Sequence, residues 1–183
     1  TTAFSTATIA LQGAHVMTWQ QHGQQPVIWL SKAAKFAPGR SIRGGVPLCW
    51  PWFGPHAVEA GYPGHGFART IPWSLFDAPK LPDGRVRLEF KPVMNDAALA
   101  QWPHASVARN VVTIGQELVI GLTTKNTGAT PFQIGQALHT YFTSGDIDKG
   151  SIAGLAGCTL IDKVDGGRRK KQKGAVTFAG ETD

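Results

Sequence analysis

The sequence predicts an all-β protein built as an antiparallel β-sandwich. Three observations lead there. Short stretches in which apolar and polar residues alternate recur along most of the chain. The 22 glycines and 12 prolines fall between them as turn punctuation. Only one segment has helical character. Strands at short, regular spacing suit two sheets packed face to face.

The elements follow in order. Residues 8–11 and 15–19 flank Gln12-Gly13 and read as a hairpin. Residues 85–90, RVRLEF, alternate charged and apolar positions as a half-buried strand does. Residues 95–101 form the single short helix, stopped by Pro103. Leu118, Ile120 and Leu122 alternate with Val119, Gly121 and Thr123 in another strand. Asn126-Thr127-Gly128 turns the chain before an extended run that starts at Phe132 and Ile134. Asp146 and Asp148, with Ser144 and Gly145, read as turn chemistry before they read as a carboxylate pair. Residues 175–179 are strand-like.

Length and composition set the class. A chain of 183 residues, 42% hydrophobic and 16% charged, can bury one core, and a single domain over residues 1–183 is expected. No apolar run approaches the roughly 18 residues of a membrane span. The start, Thr1-Thr2-Ala3-Phe4, has no basic and apolar signal-peptide pattern. Cys49 and Cys158 make no disulfide framework, so a reducing, cytoplasmic setting is expected. The net charge of +6 comes largely from Arg168, Arg169, Lys170, Lys171 and Lys173. Without them 13 basic residues face 12 acidic ones. Beside the Asp165-Gly166-Gly167 turn signal this run reads as a solvated hairpin tip, not as a nucleic-acid groove. The six histidines form no HxH or HExxH pattern and no cysteine pair has zinc spacing, so no metal is expected. The glycines form no phosphate loop or dinucleotide fingerprint.

The densest chemistry lies in residues 43–69, RGGVPLCWPWFGPHAVEAGYPGHGFAR. Two arginines bracket an aromatic, proline-rich stretch. Arg43 and Arg69 suit a carboxylate or phosphate, because a guanidinium fits such oxygens in bidentate fashion. Trp50, Trp52 and Phe53 offer flat apolar faces of the kind that stack on sugar rings. Gly64 and Gly66 allow close backbone approach on either side of the His65 imidazole. Together these suggest a pocket for a small phosphorylated or acidic sugar. Trp19, Trp29, Trp73 and Trp102 read as core or hairpin-packing residues.

IRGGVPLCWPWFG, GHGFAR and ALHTYF, with GAHVMTW before them and DKVDGG and VTFAGETD after, resemble the hexose-6-phosphate mutarotases, the glucose-6-phosphate 1-epimerase branch of the aldose 1-epimerase superfamily. The resemblance spans nearly the whole chain. It implies a galactose mutarotase-like β-sandwich and a cofactor-free isomerase acting on a hexose 6-phosphate, with no nucleic-acid or membrane partner. By the same resemblance His139 is the catalytic acid and His65 a second histidine lining the sugar site. Arg43 and Arg69 hold the 6-phosphate, and Asp183 holds sugar hydroxyls. Where relatives can carry glutamine before the site histidine, this chain has Gly64, which leaves only backbone there. The resemblance also implies further strands and a glutamate base beyond Asp183. The sandwich is therefore expected to lack its C-terminal strands. The family state is a monomer, and a shortened chain is expected to dimerise or exchange strands and to be impaired as a catalyst. Two alternatives stay open, a non-catalytic sugar-phosphate-binding or regulatory protein and an aldose 1-epimerase for unphosphorylated sugar. A pair of cations argues against the second.

Overall fold

The computed structural model describes residues 1–179. These residues fall into two compact units, the first Thr1–Thr143 and the second beginning at Ser144. In the first unit β1 (Ser5–Ala10) and β2 (His15–Gln21) form an antiparallel hairpin with an irregularity between Thr8 and Ile9. β3 (Leu48–Cys49) is short, and β4 (Trp73–Asp77) and β5 (Val86–Pro92) follow it. Helix α1 (Asp96–Gln101) begins where the Asn95 side chain accepts the Ala98 N–H at 2.9 Å, a side-chain N-cap. β6 (Ser106–Ile114) and β7 (Leu118–Asn126) complete an antiparallel sheet in the order β4-β5-β6-β7. β8 (Ala137–Leu138) pairs with β3.

Two layers build the core of this unit. Isolated bridges from Val16 to Val46, Leu30 to Gly44 and Ile28 to Phe142 join the first hairpin, the β3 segment and the β8 segment into one irregular layer. Val16, Trp19, Ile28, Val46 and Leu48 from that layer pack in one buried cluster with Trp73, Phe90, Ala108, Val112 and Ile114 of the four-stranded sheet. Buried apolar faces meeting across two β-layers define a sandwich. A buried polar chain ties the layers further: Trp19 Nε1 donates to Ser5 Oγ, which donates to the Gly115 carbonyl at 2.7 Å. Beside this core an apolar groove of about 500 Å³ is lined by Trp19, Ile28, Val46, Ile120, Leu138 and Phe142.

The second unit, among its described residues, holds two small antiparallel strand pairs, of which one is a hairpin. β9 (Ser151–Ile152) pairs with β12 (Val176–Thr177), and β10 (Thr159–Asp162) pairs with β11 (Arg168–Lys171). The basic run therefore forms a strand and not the hairpin tip that its turn signal suggested. Every residue of β11 is exposed, yet Lys170 contacts Asp162 at 2.8 Å and Asp165 at 2.7 Å, and Arg168 meets Asp165 at 3.0 Å. Aspartates from the opposing strand and the turn neutralise part of the run. Asp146 accepts the Asp148 N–H and caps the 3₁₀ turn Ile147–Lys149, the turn role expected of that pair.

Two further expectations change. The segment after Phe132 is extended but enters no ladder until Ala137. Glu89, placed outside by strand alternation, is buried between Arg87 and Arg109 and ion-paired to both. Among the described residues no helix is long and apolar enough to cross a membrane.

Candidate active site

The site grows from segment 44–50, which is paired along its length. The His139 N–H donates to the Pro47 carbonyl at 3.0 Å and the Tyr141 N–H to the Gly45 carbonyl at 2.9 Å. Alternation along extended backbone then puts His139 and Tyr141 on one side and Leu138, Thr140 and Phe142 on the other. The second set lines the apolar groove, and the first faces the candidate site. At the far end of the segment Trp50 forms a parallel bridge with Gly66, and the Ala68 N–H donates to the Trp50 carbonyl at 3.2 Å. That pairing brings the GHGFAR loop beside β3 and delivers His65.

His65 has a left-handed backbone, φ 66°, a conformation that costs a non-glycine residue on the order of 1–3 kcal/mol. Two bonds to Gly54 hold it there. The His65 N–H donates to the Gly54 carbonyl at 2.7 Å, and the Gly54 N–H donates to His65 Nδ1 at 3.2 Å. Since Nδ1 accepts, neutral His65 carries its proton on Nε2. Its ring lies 5.9 Å from that of His139, nearly perpendicular at 84°. Phe53, 44% exposed, sits 4.8 Å from His65 and 6.4 Å from His139. Tyr141 stacks on His139 at 5.1 Å and 26°, and Trp29 continues the row 5.9 Å from Tyr141.

Arg69 belongs to the same loop. One of its terminal nitrogens donates to the Gly64 carbonyl at 2.9 Å, while its buried Nε has no partner among the described residues. Its charge acts on two buried neighbours. His15 is driven down to about 4, first by burial, against a favourable bond to the Gly44 carbonyl, and then by Arg69. Burial pushes the Cys49 thiol up, and Arg69 opposes that. No carboxylate among the described residues forms an ion pair with Arg69. Arg43 is exposed and lines a neighbouring groove that also includes Thr70, the residue after Arg69. The structure thus brings His65, His139 and Phe53 together, bonds Arg69 to the Gly64 carbonyl next to His65, and sets Arg43 in a groove that it lines with Thr70. Asp183 lies outside the described residues.

Three assignments are corrected. Trp50 is 1% exposed and packs edge-on against Phe67 and Trp102, so it is a core residue and offers no face to a sugar. Trp52 is buried too, stacked on Tyr62, with its indole N–H given to the Pro63 carbonyl at 2.9 Å; it braces loop 54–63. Gly66 serves packing and not ligand approach, since a Cβ there would stand 2.0 Å from the Trp50 carbonyl oxygen. Sequence reasoning also missed Trp29, which is 40% exposed, and Tyr141. Tyr141 was within reach of the sequence, because it sits two positions after His139 in an extended segment and shares its face.

The aldose 1-epimerase family matches residues 1–182. The chain belongs to the aldose 1-epimerase family. Within it, a protein of Escherichia coli K12 named "putative glucose-6-phosphate 1-epimerase" is 42% identical over 178 residues, 97% of this chain and 58% of the relative. A protein of the same name from Cenchrus ciliaris is 34% identical over 97% of the chain and 56% of its own length. Among solved structures, the "putative mutarotase (YeaD)" of Salmonella typhimurium superposes with a TM-score of 0.89 at 38% identity, over 98% of this chain and 59% of that one. The chain thus spans rather more than half the length of the relatives it matches. The all-β sandwich is the fold of these family members.

Proposed function

We propose that this chain carries the substrate grip and the acid of a glucose-6-phosphate 1-epimerase, an isomerase that interconverts the α and β anomers of a hexose 6-phosphate. The observation that carries the reading is the pair His65 and His139, 5.9 Å apart, with Arg69 bonded to the carbonyl of Gly64 next to His65 and its buried Nε without a partner among the described residues. A buried donor left unpaired costs roughly 1–3 kcal/mol, and an anion entering the site relieves it. A neutral sugar supplies no such anion. The names of the relatives from Escherichia coli and Cenchrus ciliaris support the same substrate.

Mutarotation opens the hexose ring and closes it on the other face of C1. A base takes the proton from the anomeric hydroxyl while an acid protonates the ring oxygen, and the roles reverse on closure after rotation about C1–C2. His139 is the acid, since an imidazole gives and retakes a proton near neutral pH. Tyr141, stacked against it, holds the ring plane. His65 presents Nε2–H to the ring oxygen or a ring hydroxyl, and Phe53 closes the apolar side. Arg69 and Arg43 take the 6-phosphate, Asp183 takes sugar hydroxyls, and the base is the glutamate that the family resemblance implies. The C1–O5 bond breaks and re-forms with no change of oxidation state at C1, so no redox cofactor enters the balance.

Exchange NMR between the α and β anomers of glucose 6-phosphate tests this. A form of the protein that includes this glutamate is expected to accelerate the exchange. The His139→Asn variant is expected to lose about 10²–10⁴-fold of the rate while its calorimetric affinity for the sugar phosphate stays within a few fold, because the acid stabilises the transition state more than the bound ground state. No acceleration by that form defeats the reading, and an undiminished rate in its His139→Asn variant removes His139 from the acid role.

A further inference from the structure

Loop 54–63 leaves and returns at a narrow neck, where Gly54 and His65 face each other. Both have left-handed backbone, with φ of 78° and 66°. They exchange two hydrogen bonds, His65 N–H to the Gly54 carbonyl and Gly54 N–H to His65 Nδ1. Glycine adopts that conformation freely and histidine does not, and a strained residue persists only where its surroundings over-determine it. Whatever fixes Gly54 therefore helps to fix His65.

Gly54 is pinned by a contact that straddles it. Trp52, two residues before, and His56, two residues after, pack ring against ring at 4.7 Å and 78°. Such a contact requires the chain to turn at Gly54. Tyr62 closes the cluster, 5.0 Å from His56 and 5.9 Å from Trp52. The Trp52 indole N–H, given to the Pro63 carbonyl, fastens the returning arm two residues before His65. The leaving arm has its own fastening in His56. Its Nδ1 accepts the Glu59 N–H at 2.9 Å and the Val58 N–H at 3.3 Å. Asparagine and aspartate side chains make the same local bonds to backbone just ahead of them. The imidazole thus folds the 56–59 turn while it stands against Trp52. Residues 57–60 are all exposed and bring little packing of their own, so this acceptor is what anchors the arm.

We infer that His56 is a positioning residue for His65: its Nδ1 fixes the leaving arm of loop 54–63, that arm fixes Gly54, and Gly54 holds the His65 imidazole beside His139. His56 acts through Gly54 and not on the sugar. Its weight in anomerisation rests on the reading given under Proposed function. Its hold on Gly54 and His65 does not.

Three substitutions at this half-buried position separate the contributions. His56→Asn keeps a side-chain acceptor for the two N–H groups and drops the ring. His56→Phe keeps a ring against Trp52 and drops the acceptor, and His56→Ala removes both. In the 183-residue chain, hydrogen exchange of the Gly54 and His65 amides is expected to speed up about tenfold or more in His56→Ala and His56→Phe. In His56→Asn it is expected to stay near the wild-type rate, and the Val112 amide in the core is expected to be unaffected in all three. In a form of the protein that includes the glutamate base, kcat/KM for anomerisation of glucose 6-phosphate is expected to fall about tenfold in His56→Ala and His56→Phe, because a small misplacement of a site group is costly in rate. His56→Asn is expected to restore it. Unchanged amide exchange in His56→Ala overturns the proposal. So does a normal His56→Phe beside a damaged His56→Asn, which would make the ring and not the acceptor the working part. Faster exchange with an undiminished rate removes His56 from the reaction. If the unsubstituted form does not anomerise the sugar, the mutarotase reading ends, and amide exchange alone decides the link from His56 to His65.

Discussion

His15 shows how one buried side chain links pH to stability. It is 0% exposed, and its Nε2 lies 2.8 Å from the Gly44 carbonyl, which can only accept. The proton of the neutral ring is therefore on Nε2, and Nδ1 is buried without a partner among the described residues. Burial, with Arg69 adding to it, lowers the folded-state value from 6.5 to about 4. Between those values the unfolded chain binds the extra proton and the folded chain does not, so stability rises with pH across this window. The contribution is fully present above pH 6.5 and is lost as the pH falls toward 4, on the order of 3 kcal/mol from the size of the shift. Urea unfolding at several pH values is expected to show this slope, and His15→Gln to flatten it. A slope unchanged in the variant would assign the effect elsewhere. Nothing in GAHVMTW marked His15 as buried, because its burial is decided by Gly45, whose missing Cβ leaves room for the ring. His65 and His139 were legible for the opposite reason: their neighbours in GHGFAR and ALHTYF carry a specific pattern.

Among elements, period-2 alternation succeeded where a strand has one dry face. β7 alternates half-buried and exposed residues from Leu118 to Thr124, and the hairpin around Gln12-Gly13 forms as its turn signal indicates. It failed where pairing is tertiary. β3 and β8 are two-residue strands whose partners lie far away in the chain, so no local pattern announces them. The aromatic run beside β3 misled for a related reason, since proline and glycine around Trp50 and Trp52 suggest a surface loop. The contact that turns this loop inward is Gly66 against the Trp50 backbone. Gly66→Ala is expected to destabilise the chain by at least about 2 kcal/mol, combining a left-handed φ of 71° with overpacking. Gly23→Ala is the matched control, with φ 76° and nothing within 4 Å of its Cβ, and is expected to cost about 1 kcal/mol. Equal shifts in melting temperature for the two variants would show that the Trp50 contact carries no weight.

At the scale of the whole molecule, the excess of positive charge has two sources of different kind. The exposed strand β11 of the second unit meets Asp162 and Asp165, which accompany it. The cations of the acid-free first 58 residues form no ion pair among the described residues, and Lys35, Arg40 and Arg43 line one groove of the first unit. Counting the basic run alone made the remainder look neutral, because the acids that balance the sum come later in the chain. Net charge describes the total, and only the fold shows where it goes unanswered.

The bonds from His139 to Pro47 and from Tyr141 to Gly45 also have a consequence in time. They close a loop of about ninety residues, and contacts of such long range form only after much of the intervening chain is ordered. An early folding species with the local hairpins in place has no facing histidines. Hydrogen exchange checks this: the amides of His139 and Tyr141 are expected to exchange only through the same opening as Val112 in the core, and faster, local exchange would show that the site can come apart while the sandwich stays shut.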